Sequence, residues 1–325
     1  RLRQRGDPGE IRLAVPTGMP RLAVVVVSWN VRELLASCLR SLSDDLERAG
    51  VEASTWVVDN ASTDGTPELV KDVFPHVHLR ALEENRGFAA GNNVALREIL
   101  EGNHREAPNG LVWLLNPDTE VQPGATRALV EVMEARPTVG VVGARLVFPD
   151  GSRQQAAFRF PGLMQLLFEL FPLPPRLYET SLNGRYPRRL YEGDAPFPVD
   201  HPLGASMMVR RAAIDDVGLL DEGYHMYCEE IDWCWRMREA GWQALCVPQA
   251  EVVHHAGQST SQVPVSSFTD LWVSRARLYA RHHSPVTWRL ARLIVRVGIR
   301  RKLADAPPEV AQACREVIEA WESAR

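Results

Sequence analysis

An α/β fold, with a mostly parallel central sheet flanked by helices and a C-terminal helical extension, is predicted by three observations. The run Leu22 to Ser28 (LAVVVVS) is continuously apolar and β-branched up to its closing serine, as in a strand buried on both faces of a parallel sheet. Strand patterns then alternate with helical periods, the signature of βαβ units with right-handed crossovers. Finally, four successive strands end in small polar or acidic residues, and ligands of open α/β sheets bind beyond the carboxyl ends of strands.

Each element follows in turn. Residues 31–42 place Leu34, Leu35, Cys38, Leu39 and Leu42 at a helical period. A strand is expected over 55–58, a helix over 67–74, a strand over 77–82, a helix over 89–100 and a strand over 111–115. Another apolar strand pattern covers 139–147. Residues 148–200 hold eight prolines and read as long loops with one short apolar helix at 163–171. Order returns at 201–210 (HPLGASMMVR), a glycine turn entering a strand. Residues 308–323 form a last amphipathic helix, which offers an oligomer contact. No internal repeat is visible.

Composition sets the class. Of 325 residues, 45% are apolar and 24% charged, with net charge −4, which excludes a collagenous, disordered or multi-span membrane chain. Five cysteines show neither CxxC nor CxxH, so zinc sites and disulfides are not expected, and reduced thiols point to the cytoplasm. Residues 1–20 are polar with Pro and Gly, a flexible leader and not the apolar core of a signal.

The strand ends read Ser28-Trp29-Asn30, Asp59-Asn60 through Gly65, Asn85-Arg86-Gly87-Phe88, and Asn116-Pro117-Asp118. Asn, Asp and Gly also make ordinary turns. Four such ends along one sheet rim are better explained by a binding site.

Seven segments now carry a resemblance: VVSWN (26–30), VDNASTDG (58–65), ENRGFAAGNN (84–93), LLNPDTEV (114–121), GASMMVRR (204–211), the stretch from Gly218 to Trp242 containing CEEIDWCW, and HHAGQST (254–260). In this order, over residues 22–260, they resemble family-two glycosyltransferases of the GT-A fold, especially the rhamnosyltransferase-like branch. The resemblance implies an inverting transfer of a sugar, L-rhamnose by the branch, from a nucleotide diphosphate sugar to a hydroxyl of a glycan or lipid-linked acceptor. It divides the chain into a catalytic domain at 21–265, with a nucleotide-sugar half (21–147) and an acceptor half (148–265), and an extension at 266–325.

Site residues follow from it. Asp59 matches the residue that holds uracil or thymine, implying a dTDP- or UDP-sugar, and a carboxylate at a strand tip can accept from a base imide N–H. Arg86 can reach a phosphate while Gly87 lets the chain approach closely. Ser28, Asn30, Asn60, Asn92 and Asn116 complete the expected donor contacts, although Asn92 and Asn93 could equally cap the next helix. Asn116-Pro117-Asp118 stands where the family has DxD, with Asn for the first acid. Asp118 is then the expected ligand of Mg²⁺ or Mn²⁺. His254 resembles a second ligand, with His255 one residue away as the competing choice.

Glu230 stands where the family carries its Asp general base; an inverting transfer needs one carboxylate to take the acceptor proton. On a helix, Glu229, Asp232 and Arg236 fall at i, i+3, i+7 on one face while Glu230 points elsewhere. With Trp233 they are expected to support the acceptor side. The bland alternative is a solvated acidic helix start. Two other classes compete. A nucleotidyltransferase would show a Gly-rich, Lys-bearing loop, which is missing; a non-catalytic nucleotide-sugar-binding protein at a membrane surface would not need the full acidic set.

Residues 271–304 carry nine basic side chains and no acid, leaving −13 for the remainder. Arg289, Arg292, Arg296 and Arg300 form a stripe among Trp288, Leu290, Leu293, Ile294, Val295, Val297 and Ile299. This reads as an interfacial helix on an anionic membrane, placing the protein on the inner face of the cell membrane. The alternative is a helix docked on the catalytic domain's own acidic surface. Nucleic acid is not expected, because no recognition motif accompanies the charge.

Overall fold

The computed structural model describes residues 22–101, 110–258, 262–304 and 306–324. The expected leader over 1–20 lies outside the described residues, as do Ser259 and Thr260 of the HHAGQST segment.

The first half is β1 (Leu22–Ser28), α1 (Arg32–Ala49), β2 (Ala53–Asp59), α2 (Thr66–Val73), β3 (His78–Ala81), α3 (Gly87–Glu101), β4 (Leu111–Leu115), β5 (Thr119–Val121), α4 (Ala125–Ala135) and β6 (Val139–Val147). The second half is β7 (Ala157–Phe158), α5 (Leu163–Leu170), α6 (Arg188–Glu192), β8 (Phe197–Val199), β9 (His201–Pro202), β10 (Ser206–Arg210), α7 (Arg211–Val217), α8 (Glu229–Glu239) and β11 (Gln243–His254). Helices α9 (Pro264–His282), α10 (Pro285–Ala304) and α11 (Pro308–Ser323) close the chain.

Among the described residues, nine strands make one sheet in the order β3-β2-β1-β4-β10-β6-β11-β5, with β8 also on β11. Six share one direction; β10, β5 and β8 oppose them. The period-two geometry of β1 supplies both cores. Leu22, Val24 and Val26 face α1, α2 and α4, whereas Ala23, Val25 and Val27 face α3, α7 and α8. Val24, Val25 and Val26 are wholly buried, and each contributes about 1.5 kcal/mol or more from burial.

The C-terminal helices have a core of their own. Trp272, Tyr279, Ala291, Val295, Ile299, Cys314, Val317 and Trp321 pack with Leu166 of α5. The basic segment is therefore two helices with separate fates. On α9, Arg275 pairs with Glu169, while Arg277 and Arg281 reach Asp221 at 2.8 and 2.7 Å. These arginines dock α9 onto the preceding domain. On α10, no carboxylate lies within ion-pairing distance of Arg289 or Arg300 among the described residues. No helix of the described residues is long and apolar enough to cross a membrane.

Candidate active site

The chain leaves β1 toward β2 and β3 on one side and returns to β4 on the other. This is the reversal point at which α/β sheets open a crevice beyond the strand ends. A cleft of about 280 Å³ lies there. Ser28 and Trp29 after β1, Asn60 after β2, Gly87 at the start of α3, and Asn116 and Asp118 after β4 border it. Glu229, Glu230 and His254 close it from the second half.

Asp118 and His254 meet because β5 pairs antiparallel with the end of β11, His254 opposite Thr119. Successive strand residues face opposite ways. His254 therefore turns to Asp118, with Nε2 3.4 Å from Oδ1, while His255 turns to Glu120 at 2.9 Å. The ring Nδ1 of His254 lies 2.9 Å from Gln154 Oε1, which can only accept, so Nδ1 carries the hydrogen. The other ring nitrogen, Nε2, is the atom turned to the Asp118 carboxylate. Asn116 Oδ1, buried in the same corner, has no hydrogen-bond partner. An imidazole nitrogen, a carboxylate and an unpartnered amide oxygen thus share one corner, a donor set that fits a hard or borderline divalent cation. No group of three or more His, Cys, Asp or Glu side chains suited to a metal occurs among the described residues. Such a cation would complete its shell with diphosphate oxygens and water.

Across the cleft, Tyr227 and Cys228 both adopt left-handed backbone (φ 67° and 68°), turning the chain so that α8 starts at Glu229. Both Glu229 and Glu230 face the cleft from the first helical turn, where free amide N–H groups favour carboxylates. Burial nevertheless pushes Glu230 up to about 7, against the pull of its neighbouring amides. Glu229 is raised well above the usual range by burial and by the charge of Glu230, and its Oε2 lacks a partner. A carboxyl that releases its proton near neutrality is suited to general-base work.

The remaining expected residues divide. Asn60 is a clamp: its amide donates to Gly87 O at 3.0 Å and accepts from Arg86 N at 3.2 Å. Asn30 ties two loops together, accepting from Thr63 N, and does not line the cleft. Asp59 is buried beside Ser28 in register, accepts from Ser62 N at 2.9 Å and keeps Oδ1 without a partner. Burial raises its pKa. Arg86 lies 4.0 Å from Glu222 and does not border the cleft.

Other expected residues lie away from the cleft. Asn92 belongs to the second turn of α3 and donates to Phe88 O of its own helix, away from the cleft. Trp233 is a core side chain, fully buried and donating to Gly218 O. Asp232 and Arg236 turn away from both glutamates. Asp232, with no exposed surface, accepts from Arg236 at 2.7 Å and contacts His282 Nε2 at 2.8 Å, while Arg236 donates to Val217 O and Leu219 O. They anchor α8 and do not border the cleft.

Sequence reasoning missed Gln154, which fixes the His254 tautomer from 100 residues away inside the proline-rich stretch. No local pattern marks it. It also missed the role of Asp64, whose two oxygens accept from Arg32 N and Thr66 N and so cap α1 and α2 together. The Asp-Gly before a helical period was a usable signal there.

The fold and the cleft define a nucleotide-sugar transferase architecture. The glycosyl transferase family 2 profile matches residues 23–218, and the chain belongs to that family and is a glycosyltransferase. It is 33% identical over 297 residues to an N-acetylglucosaminyl-diphospho-decaprenol L-rhamnosyltransferase of Mycobacterium tuberculosis, covering 86% of this chain and 94% of the relative. The rhamnosyltransferase WbbL of Escherichia coli K12 is 26% identical over 174 residues, 52% of this chain and 61% of that one. Among solved structures, GalNAc-T7 with UDP, GalNAc and Mn²⁺ superposes with TM-score 0.56 at 16% identity, covering 94% of this chain and 55% of that one. That likeness establishes the GT-A fold.

Proposed function

We propose that the chain transfers a sugar with inversion from a dTDP- or UDP-sugar to a hydroxyl of a glycan or lipid-linked acceptor, with Glu230 as general base. One observation carries this reading: a single cleft at the sheet reversal holds both the Asp118–His254 pair and a glutamate raised to about 7. Likeness to the mycobacterial relative supports L-rhamnose as the sugar and a polyprenyl diphosphate glycan as acceptor.

Asp118 and His254, with Asn116 nearby, would hold Mg²⁺ or Mn²⁺; when bound, the ion neutralises charge that develops on the departing diphosphate. The chain's own residues do the rest. Asp59 Oδ1, a buried acceptor without a donor, suits the imide N–H of thymine or uracil. Asn60 and Gly87 hold the wall on which the donor rests. Glu230, deprotonated, takes the acceptor proton as its oxygen attacks from the face opposite the diphosphate.

Thermal shifts with a panel of nucleotide diphosphate sugars, with and without Mn²⁺, test the donor assignment. A dTDP- or UDP-sugar at about 100 times its Kd stabilises the fold by about 2.7 kcal/mol, and more with the ion than without. Stabilisation only by GDP- or ADP-sugars overturns the base assignment.

A further inference from the structure

Of ten exposed large apolar side chains among the described residues, four lie on α10: Val286, Leu290, Leu293 and Val297, at 64, 46, 58 and 44% exposure. Spacings of four, three and four put them on one line along the helix, about 16 Å long. The residues that α10 buries, Ala291, Val295, Gly298 and Ile299, occupy the opposite face. Helix α10 is thus apolar twice over: one face is satisfied by the C-terminal core, the other by nothing among the described residues. Arginines border the outward line, Arg289, Arg296 and Arg300 on one side and Arg301 on the other. Beside it, Arg289, Arg292 and Arg296, with Glu322 among them, rim a cleft of about 210 Å³ floored by Val295, Ile318 and Trp321.

We propose that this face of α10 is a docking surface for an anionic lipid bilayer, with the apolar line below the headgroups and the arginines against lipid phosphates. Charge decides between lipid and a second copy of the chain. A two-fold contact through this line would bring arginine rows together; the 271–304 segment contains no acid, and the one carboxylate within ion-pairing distance of the row among the described residues, Glu322, already lies 4.0 Å from Arg296 of its own chain. Anionic lipid meets both requirements, apolar depth and negative charge. The inference goes beyond the catalytic reading and does not depend on it. It also sharpens the fate of the basic segment, because α9 spends its arginines on Glu169 and Asp221.

The test is co-sedimentation of the full chain with phosphatidylcholine vesicles, with and without about 30% phosphatidylglycerol. Binding is expected only to the anionic vesicles, and it falls as salt is raised from about 0.1 to 0.5 M. Leu290→Gln with Leu293→Gln lowers the bound fraction about tenfold or more. Arg289→Gln with Arg296→Gln and Arg300→Gln removes the preference for anionic lipid, while the matching lysine variants keep it. Circular dichroism melting confirms the fold of each exposed-site variant. Wild-type binding by the Leu290→Gln/Leu293→Gln protein, or no vesicle binding by the parent, overturns the proposal. So does a parent dimer that these glutamines dissolve with no effect on lipid. Donor-induced stabilisation measured on the same samples keeps the catalytic reading separate: if it persists without vesicle binding, only the docking surface is lost.

Discussion

At Glu230 the protein sets a proton equilibrium by burial. The carboxyl is raised to about 7 from an ordinary 4.5, so it is a base only when the pH approaches or exceeds neutrality. In the limit where this proton controls the step, kcat/KM rises about tenfold per pH unit below 7 and flattens above it. A divalent ion in the cleft shifts that rise to lower pH, and a pH–rate series at two metal concentrations shows it. Stability runs the other way. A carboxyl whose folded pKa is raised contributes stability that is fully present below about 4.5 and is lost as pH rises through about 7. Metal-free protein therefore melts at lower temperature at pH 8 than at pH 5.5 from this group, and Glu230→Gln flattens the difference. Asp118→Asn keeps the shape of the corner but removes its charge. Its Mn²⁺-dependent part of donor stabilisation should vanish while the metal-free part remains; an undiminished Mn²⁺ effect removes Asp118 from the ion site.

At the scale of elements, helix α8 is the hinge of the account, because it carries both glutamates and is fixed from behind. Asp232, wholly buried, joins Arg236 and His282, with the more exposed Arg281 at the rim, tying α8 to α9. Removing one partner of a buried charge cluster costs about 3–5 kcal/mol, so Asp232→Ala should lose that much in urea unfolding. A loss below about 1 kcal/mol means the cluster does not anchor the helix. Gly87 is the matching constraint on α3. Its φ is +80°, and a β-carbon there would come 2.1 Å from His225 O, so Gly87→Ala should destabilise by about 1–3 kcal/mol. The alternation of strands and helices was legible because apolar periodicity is local. The division of the acidic helix was not. Spacing put Glu229 with Asp232 and Arg236, but Glu229 borders the cleft beside Glu230 while Asp232 and Arg236 pair with each other away from it. The burial of Trp233 in the core was not legible for a similar reason: an aromatic in a rich motif gives no sign of which side of its helix the core lies on. That His254 and not His255 faces Asp118 follows only from the pairing with β5, a contact across more than 130 residues.

For the whole molecule, the net charge of −4 conceals two populations of arginine. Those on α9 are structural counterions, whereas on α10, among the described residues, only Arg296 reaches a carboxylate, Glu322 at 4.0 Å, and the row runs beside exposed leucines and valines. From sequence they form one basic segment; only the break at His283-Ser284 and the packing of each helix separate them. The cleft likewise depends on the whole chain, since the donor corner comes from β1 to β5 and its histidine and glutamates from α8 and β11. The most direct measurement takes the Glu230→Gln protein and reads two things at once. One is thermal stabilisation by donor sugar with Mn²⁺; the other is transfer of labelled sugar to an extract of lipid-linked acceptors. The account predicts donor stabilisation equal to the parent's and transfer reduced about 10²–10⁴-fold. Transfer at the parent's rate, with the donor still bound, would contradict it.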